Sequence, residues 1–121
     1  AIHLQIGQSI SSLKQENILI LGSGFSFHNL RALRAGSTEK PDDDNEAFEG
    51  WLSDTCTNIS LSSEERMERL LQWAEAPSAR YCHPREEHLL PLHVCYGASE
   101  TVGKQVFDDI VIGKRTSGFL W

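Results

Sequence analysis

The residues best suited to chemistry fall in two short stretches. The first is Gly22-Ser23-Gly24-Phe25-Ser26-Phe27-His28-Asn29, directly after the apolar run Ile18-Leu19-Ile20-Leu21. Open α/β sheets place ligands in loops beyond the C-terminal ends of their strands. Glycines there let the backbone turn sharply, and His28 follows the turn, set to point into the crevice. The stretch does not meet the dinucleotide-binding pattern, because Phe27 stands where the third glycine is needed. Nor does it meet the nucleophile elbow, whose serine sits between glycines at wider spacing. Taken alone, His28 reads more readily as a structural residue than as a catalyst.

The second stretch is Cys82-His83-Pro84-Arg85-Glu86-Glu87-His88-Leu89-Leu90-Pro91-Leu92-His93. Pro84 suits the first position of a helix, with Glu86 and Glu87 in its positive first turn. Pro91 lacks an N–H, so the Glu87 carbonyl loses its helical partner, which predicts a kink or restart beside His88. The histidines and cysteines invite a zinc reading. However, His83, His88 and His93 are spaced by five, and on a helix each is turned by roughly 140° from the last. They do not share a face as ligands at i and i+4 would. At most one faces a given metal, and His28 is the natural partner for His88 across the crevice. No glutamate is placed between ligands as a general base, which weakens a zinc-hydrolase reading.

These stretches need elements to hold them. Ile2, Ile6, Ile10 and Leu13 recur at helical spacing and predict an amphipathic helix over residues 2–15. The chain enters that helix with no capping residue ahead of it, which suggests a truncated or processed start. Residues 18–21 read as a strand covered on both faces. A short helix is expected over 29–33, then a polar loop over 36–45. Asp44 or Asn45 is placed to cap a helix carrying Phe48, Trp51, Leu52 and Cys56. Ser62 or Ser63, followed by Glu64 and Glu65, starts another with Met67, Leu70, Leu71 and Ala74 on one side, closed by Pro77. Residues 83–97 read as mostly helical, 106–112 as a strand, and 118–121 as a terminal strand. The pattern is α/β, in a single unit spanning 1–121.

Composition narrows the classes. The 121 residues are 40% hydrophobic and 23% charged, ordinary for a globular domain. The net charge of -6 comes without a basic stripe, which argues against nucleic acid. No apolar run approaches a bilayer span, and residues 1–13 lack the pattern of a signal peptide. Cys56, Cys82 and Cys95 form an odd set without CxxC spacing, which fits a reducing cytosol better than a disulfide framework.

Both stretches resemble the class III extradiol ring-cleavage dioxygenases, in particular their DOPA-dioxygenase-like branch. That branch carries a strand ending in a Ser-Gly turn and then His-Asn-Leu-Arg, here residues 18–24 and His28-Asn29-Leu30-Arg31. It later carries Pro-x-x-Glu/Asp-His-x-x-Pro-Leu and Gly-Ala. Here these are Pro84-Arg85-Glu86-Glu87-His88-Leu89-Leu90-Pro91-Leu92 and Gly97-Ala98. The opening His3-Leu4-Gln5-Ile6-Gly7-Gln8 is similar to the helix preceding the family's strand. The motifs occur in the family's order over nearly the whole chain.

The resemblance implies the C-terminal half of that fold, a partial central β-sheet flanked by helices. It implies a non-haem metal, Fe(II) or Zn(II), with His88 as a ligand and His28 as a ligand or an acid–base residue at the metal. The implied reaction opens a catechol ring with O2. The family's remaining metal histidines lie in an N-terminal half, ahead of this sequence, so that half is an implied partner in the same chain or another. The rival from a different class is an inactive fragment or a binding and assembly module that kept the fold. Arg31, Arg80 and Arg85 are candidates to pair with a substrate carboxylate.

Overall fold

Three of the helices begin where the sequence supplies a side-chain cap. In the computed structural model, which describes residues 1–35 and 42–121, Asn29 caps α2 (Leu30–Arg34) by accepting from the Ala32 N–H. Asp42 caps α3 (Asp43–Thr57), and Ser62 with Glu65 forms a reciprocal capping box on α4 (Ser63–Leu71). A 3-10 turn at Trp73–Glu75 and the short α5 (Ala79–Cys82) follow, then α6 (Leu90–Ser99). The chain ends in an antiparallel hairpin of β1 (Lys104–Val111) and β2 (Lys114–Leu120). Ile112 and Gly113 both adopt positive φ and make its two-residue turn. The expected strand 106–112 therefore starts earlier and stops one residue sooner. The expected terminal strand begins at Lys114 rather than at Gly118.

The cap of α3 is Asp42, not Asp44 or Asn45, because Asn45 is turned inward. Its side chain accepts from the Arg115 N–H at 2.8 Å and donates to the Arg115 carbonyl at 3.0 Å. Ser26 Oγ accepts from the Ser117 N–H at 2.9 Å. Side chains thus take the outer groups of Arg115 and the Ser117 N–H on β2, where another strand would otherwise pair. Most of the predicted loop 36–45 lies outside the described residues.

Phe48, Leu52 and Cys56 on α3 pack with Phe27, Trp73, Cys82 and Leu89 into the main core. Leu4, Leu70 and Tyr96 form a second, smaller one. On α4 the apolar side is shorter than expected: Leu70 is buried, Leu71 and Ala74 are exposed, and Trp73 fills the core instead.

The opening helix α1 (Ile2–Ser9) continues as a 3-10 turn over Ser11–Glu16. Its packed face differs from the expected one. Leu4 and Gly7 are buried, whereas Ile2 is 63% and Ile6 44% exposed. The cause is a close crossing with α6. A Cβ on Gly7 would lie 2.2 Å from the Val94 carbonyl oxygen, and one on Gly97 would lie 2.3 Å from that of Leu4. Only glycines let the two backbones approach this far, so they set the face and leave the isoleucines outside.

Two further expectations are corrected. Residues 18–21 form no strand, and they are not covered: Leu19 is 78% and Leu21 81% exposed. A strand needs a neighbour's backbone, and in the described chain residues 19–24 make no backbone–backbone hydrogen bond. Residues 84–89 are turns rather than helix, and Pro84 opens none. Pro91 sits in the first turn of α6, where its missing N–H costs nothing, so the restart beside His88 is present. The whole is a partial α/β fold. No helix among the described residues is long and apolar enough to cross a membrane.

Candidate functional site

Two loops are stitched together around α5 and the start of α6. The His28 N–H donates to the Cys82 carbonyl at 2.9 Å, and the Phe25 N–H donates to the His88 carbonyl at 3.1 Å. Asn29 adds a third tie by donating from Nδ2 to the Tyr81 carbonyl at 2.8 Å while it caps α2. Gly24 is required for this approach: a Cβ there would lie 2.2 Å from the His88 carbonyl oxygen. Below the loop, Phe27 is fully buried in the main core. The backbone of both stretches is thereby fixed before either histidine side chain is considered.

The result is that His28 and His88 meet. Their rings stack with centroids 3.5 Å apart and planes 19° from parallel, both half-buried. Burial holds the His28 pKa below the ordinary value. A charge on His88 pushes the same way, and Glu87 opposes it. His28 fronts an open cleft of about 460 Å³ that it shares with Arg31, Arg85 and Glu87. His88 fronts an apolar groove of about 480 Å³ on its own side. The stacked pair therefore stands between two depressions of different character.

His83 and His93 do not join the pair. His83 is fully buried, with its Nε2 2.7 Å from the Ser26 carbonyl and its ring edge-on to Phe48 and Trp73. A carbonyl only accepts, so Nε2 carries the proton; Nδ1 has no partner. Burial lowers the His83 pKa to about 4. His93 lies between the Leu70 and Leu89 carbonyls, at 2.8 and 3.2 Å, and burial lowers its pKa too. The divergence matches the sequence expectation, but not its reason. Only His93 lies on the helix, so the rotation between positions five apart does not set where His83 and His88 point.

The network behind the loop was not legible as a site feature. Ser26 accepts from Ser117 with its Oγ and from His83 with its carbonyl, and Ser117 Oγ donates to Glu49 Oε2 at 2.6 Å. Glu49 is fully buried, and desolvation raises its pKa against the pull of Ser117 and Ser26. The available signal was position: Asn45, Phe48, Glu49, Leu52 and Cys56 fall on one helical stripe, so two polar residues interrupt an apolar face.

Of the arginines, Arg80 pairs with Glu86 at 3.1 Å and stacks over Trp73 at 4.6 Å. Arg85 pairs with Glu87 at 3.4 Å. Arg31 and Arg85 border the His28 cleft.

The family described as the catalytic LigB subunit of aromatic ring-opening dioxygenase matches residues 2–119. The chain belongs to this family. A 4,5-DOPA dioxygenase extradiol of Beta vulgaris is 33% identical over 102 residues, 80% of this chain and 34% of that protein. The dioxygenase tasH of Hapsidospora irregularis is 32% identical over 128 residues, 98% of this chain and 39% of its own. The chain thus spans little more than a third of these curated relatives. The crystal structure of an uncharacterized Escherichia coli K12 protein, JW3007, superposes with a TM-score of 0.77 at 21% identity. It covers 95% of this chain and 47% of the other. That likeness shows the fold, which corresponds to about half of the longer chain.

Family members of this kind depend on a non-haem metal. His28 and His88 supply two imidazoles, but their rings lie face to face and 19° from parallel, so their nitrogen lone pairs converge on one ion only if a ring turns. They do not make a full set, since catalytic sites normally supply three protein ligands. Among the described residues no group of three or more His, Cys, Asp or Glu is placed to hold a metal. Cys82 does not fill the gap: it is fully buried, and burial pushes its thiol pKa up, away from the thiolate a metal needs.

Proposed function

We propose that this chain is the C-terminal portion of an extradiol catechol dioxygenase and carries one part of its metal site. The observation that carries the reading is the stacked His28–His88 pair, two imidazoles brought together from loops 60 residues apart by their backbone ties. His88 would hold the metal. His28 would stand at the metal as a ligand or as the group that takes the second catechol proton, and the cause of its lowered pKa suits the second role. A neutral imidazole near neutral pH accepts a proton and returns it later. A bound Fe(II) or Zn(II) would supply an open coordination face for a catecholate beside O2. Arg31 and Arg85 would orient an acidic substituent of the substrate in the His28 cleft. Three free cysteines fit a reducing compartment such as the cytosol.

The remaining metal ligands would come from an N-terminal half in the same chain or a second one. Alone, the chain should bind Fe(II) or Zn(II) weakly, and calorimetric titration checks this; tight stoichiometric binding would mean that a ligand lies elsewhere. In protein restored to full length, His88→Ala should lower metal content and turnover together. His28→Ala should lower turnover by about 100-fold or more and spare more of the metal. The assay is appearance of yellow ring-opened product from a catechol such as DOPA, with oxygen uptake in parallel. The exposed apolar surface around residues 18–24 favours a second reading, a binding or assembly module. Restored protein that holds its metal yet opens no catechol in a broad panel would decide for it.

A further inference from the structure

His83 takes no part in the stacked pair, yet its side chain closes a circuit of bonds that contains His28. Its Nε2–H donates to the Ser26 carbonyl at 2.7 Å. Ser26 leads through Phe27 to His28, and the His28 N–H donates at 2.9 Å to the carbonyl of Cys82, the residue before His83. Five residues thus form one closed frame, with His28 a member of it. Among the described residues the Ser26 carbonyl has no backbone donor, so the imidazole fixes its direction. The Ser26 hydroxyl is held separately, by the Ser117 N–H. The aim of the His28 ring follows from this backbone and from the stack with His88.

The residue type is informative. His83 sits edge-on to Phe48 and Trp73, a place that a phenylalanine would fill without a polar atom. The histidine instead leaves Nδ1 buried with no partner, which is unfavourable. What it supplies in return is the single donor at Nε2.

We propose that His83 is a positioning residue for His28: by holding the Ser26 carbonyl, its Nε2–H fixes the backbone from which His28 meets His88. The proposal rests on reading that pair as part of a dioxygenase metal site. In it His83 touches neither metal nor catechol and acts only through His28.

Packing and donor predict opposite rankings of two variants. His83→Phe keeps an aromatic ring and removes the donor, whereas His83→Gln keeps a donor and loses part of the packing. In this chain alone, nuclear Overhauser contacts between the ring protons of His28 and His88 report the pair. They should persist in the wild type and in His83→Gln and be lost in His83→Phe. In protein restored to full length, His83→Phe should lower kcat by about 10-fold or more, with KM for a catechol such as DOPA and the metal content within about twofold of wild type. His83→Gln should recover most of that loss. Tyr96→Phe deletes a 3.0 Å hydrogen bond to the Ser63 carbonyl in the smaller core and should change neither readout. If His83→Phe does not fold, His83→Leu takes its place as a filler without a donor. A donorless variant that keeps the ring contacts and kcat overturns the proposal. So does His83→Phe matching or exceeding His83→Gln. Failure of both donorless variants to fold overturns it too, since His83 would then hold the core rather than His28. Ring contacts that depend on the donor, in a protein that at full length opens no catechol, sink the catalytic reading and leave the positioning role intact. Ring opening with an unchanged kcat in His83→Phe does the reverse.

Discussion

The face built on α3 and the hairpin and the face built on residues 18–24 invert each other's chemistry. On the first, Asn45, Glu49 and Arg66 are polar or charged and buried. Arg66 donates to the Thr55 and Asn58 carbonyls at 2.8 and 2.6 Å, and Asn45 completes the edge of β2. On the second, leucines stand in solvent beside unpaired backbone. Hydrophobicity does not sort these residues; the location of each one's partner does. A buried polar group is stable where the chain supplies its hydrogen bonds. An apolar strand residue stays exposed where the chain supplies no neighbouring strand. The packed face is self-contained, whereas the other leaves its apolar side chains uncovered.

The largest effect that tests this difference is a deletion in the self-contained face. Leu52 is fully buried between Phe48 and Cys56 on α3. Leu52→Ala removes that packing and leaves a cavity, so it should cost about 4 kcal/mol in urea unfolding. A cost below about 1 kcal/mol would mean that the α3 core is not a settled core, and the contrast between the faces would fail.

The contrast also explains what the sequence disclosed. Local signals were readable: the Ser62–Glu65 capping box, the Pro91 restart, and the apolar stripe of Phe48, Leu52 and Cys56. The meeting of His28 and His88 was readable from the two motifs together. The covering of residues 18–21 was not, because four consecutive aliphatic residues announce a buried strand whether or not the strand's neighbours are part of the same 121 residues. The face of α1 was misread for a different reason. Helical periodicity counts large side chains, and this crossing is governed by Gly7 and Gly97, which have none. Inward-turned Asn45 and Glu49 need tertiary partners on β2 and at Ser26, and nothing local foretells them.

A pH titration gives the next effect, again in the self-contained face. His83 has a folded pKa of about 4, lowered by burial from 6.5. The unfolded chain takes up a proton at His83 as the pH falls below about 6.5, and the folded chain does not until about pH 4. Stability from this residue is therefore complete above about pH 6.5 and declines as the pH drops toward 4. The decline is on the order of 2–3 kcal/mol. His93, also lowered by burial, acts in the same direction. His83→Gln cannot titrate and can still donate to the Ser26 carbonyl. The difference in unfolding free energy between the two proteins, measured from pH 7 to pH 4.5, should shrink as the pH falls. A difference that stays constant would mean that His83 is not held neutral in the core.

The smallest expected effect is the most pointed. Leu21→Ala is the same chemical change as Leu52→Ala, made where the side chain is 81% exposed. Little apolar area returns to water on unfolding, and no cavity forms, so the cost in this chain alone should stay within about 0.5 kcal/mol. Alanine has a lower strand preference than leucine's β-branched neighbours, but residues 18–21 form no ladder here through which that preference could act. The same variant should matter once the rest of the fold is joined to the chain, where covering Leu21 would restore a penalty of about 2 kcal/mol or more. Urea unfolding of the wild type and variant, each alone and in full-length form, yields both differences. A cost above about 1.5 kcal/mol in the chain alone would show that residues 18–21 are already packed, and the division into a complete and an incomplete face would fall with it.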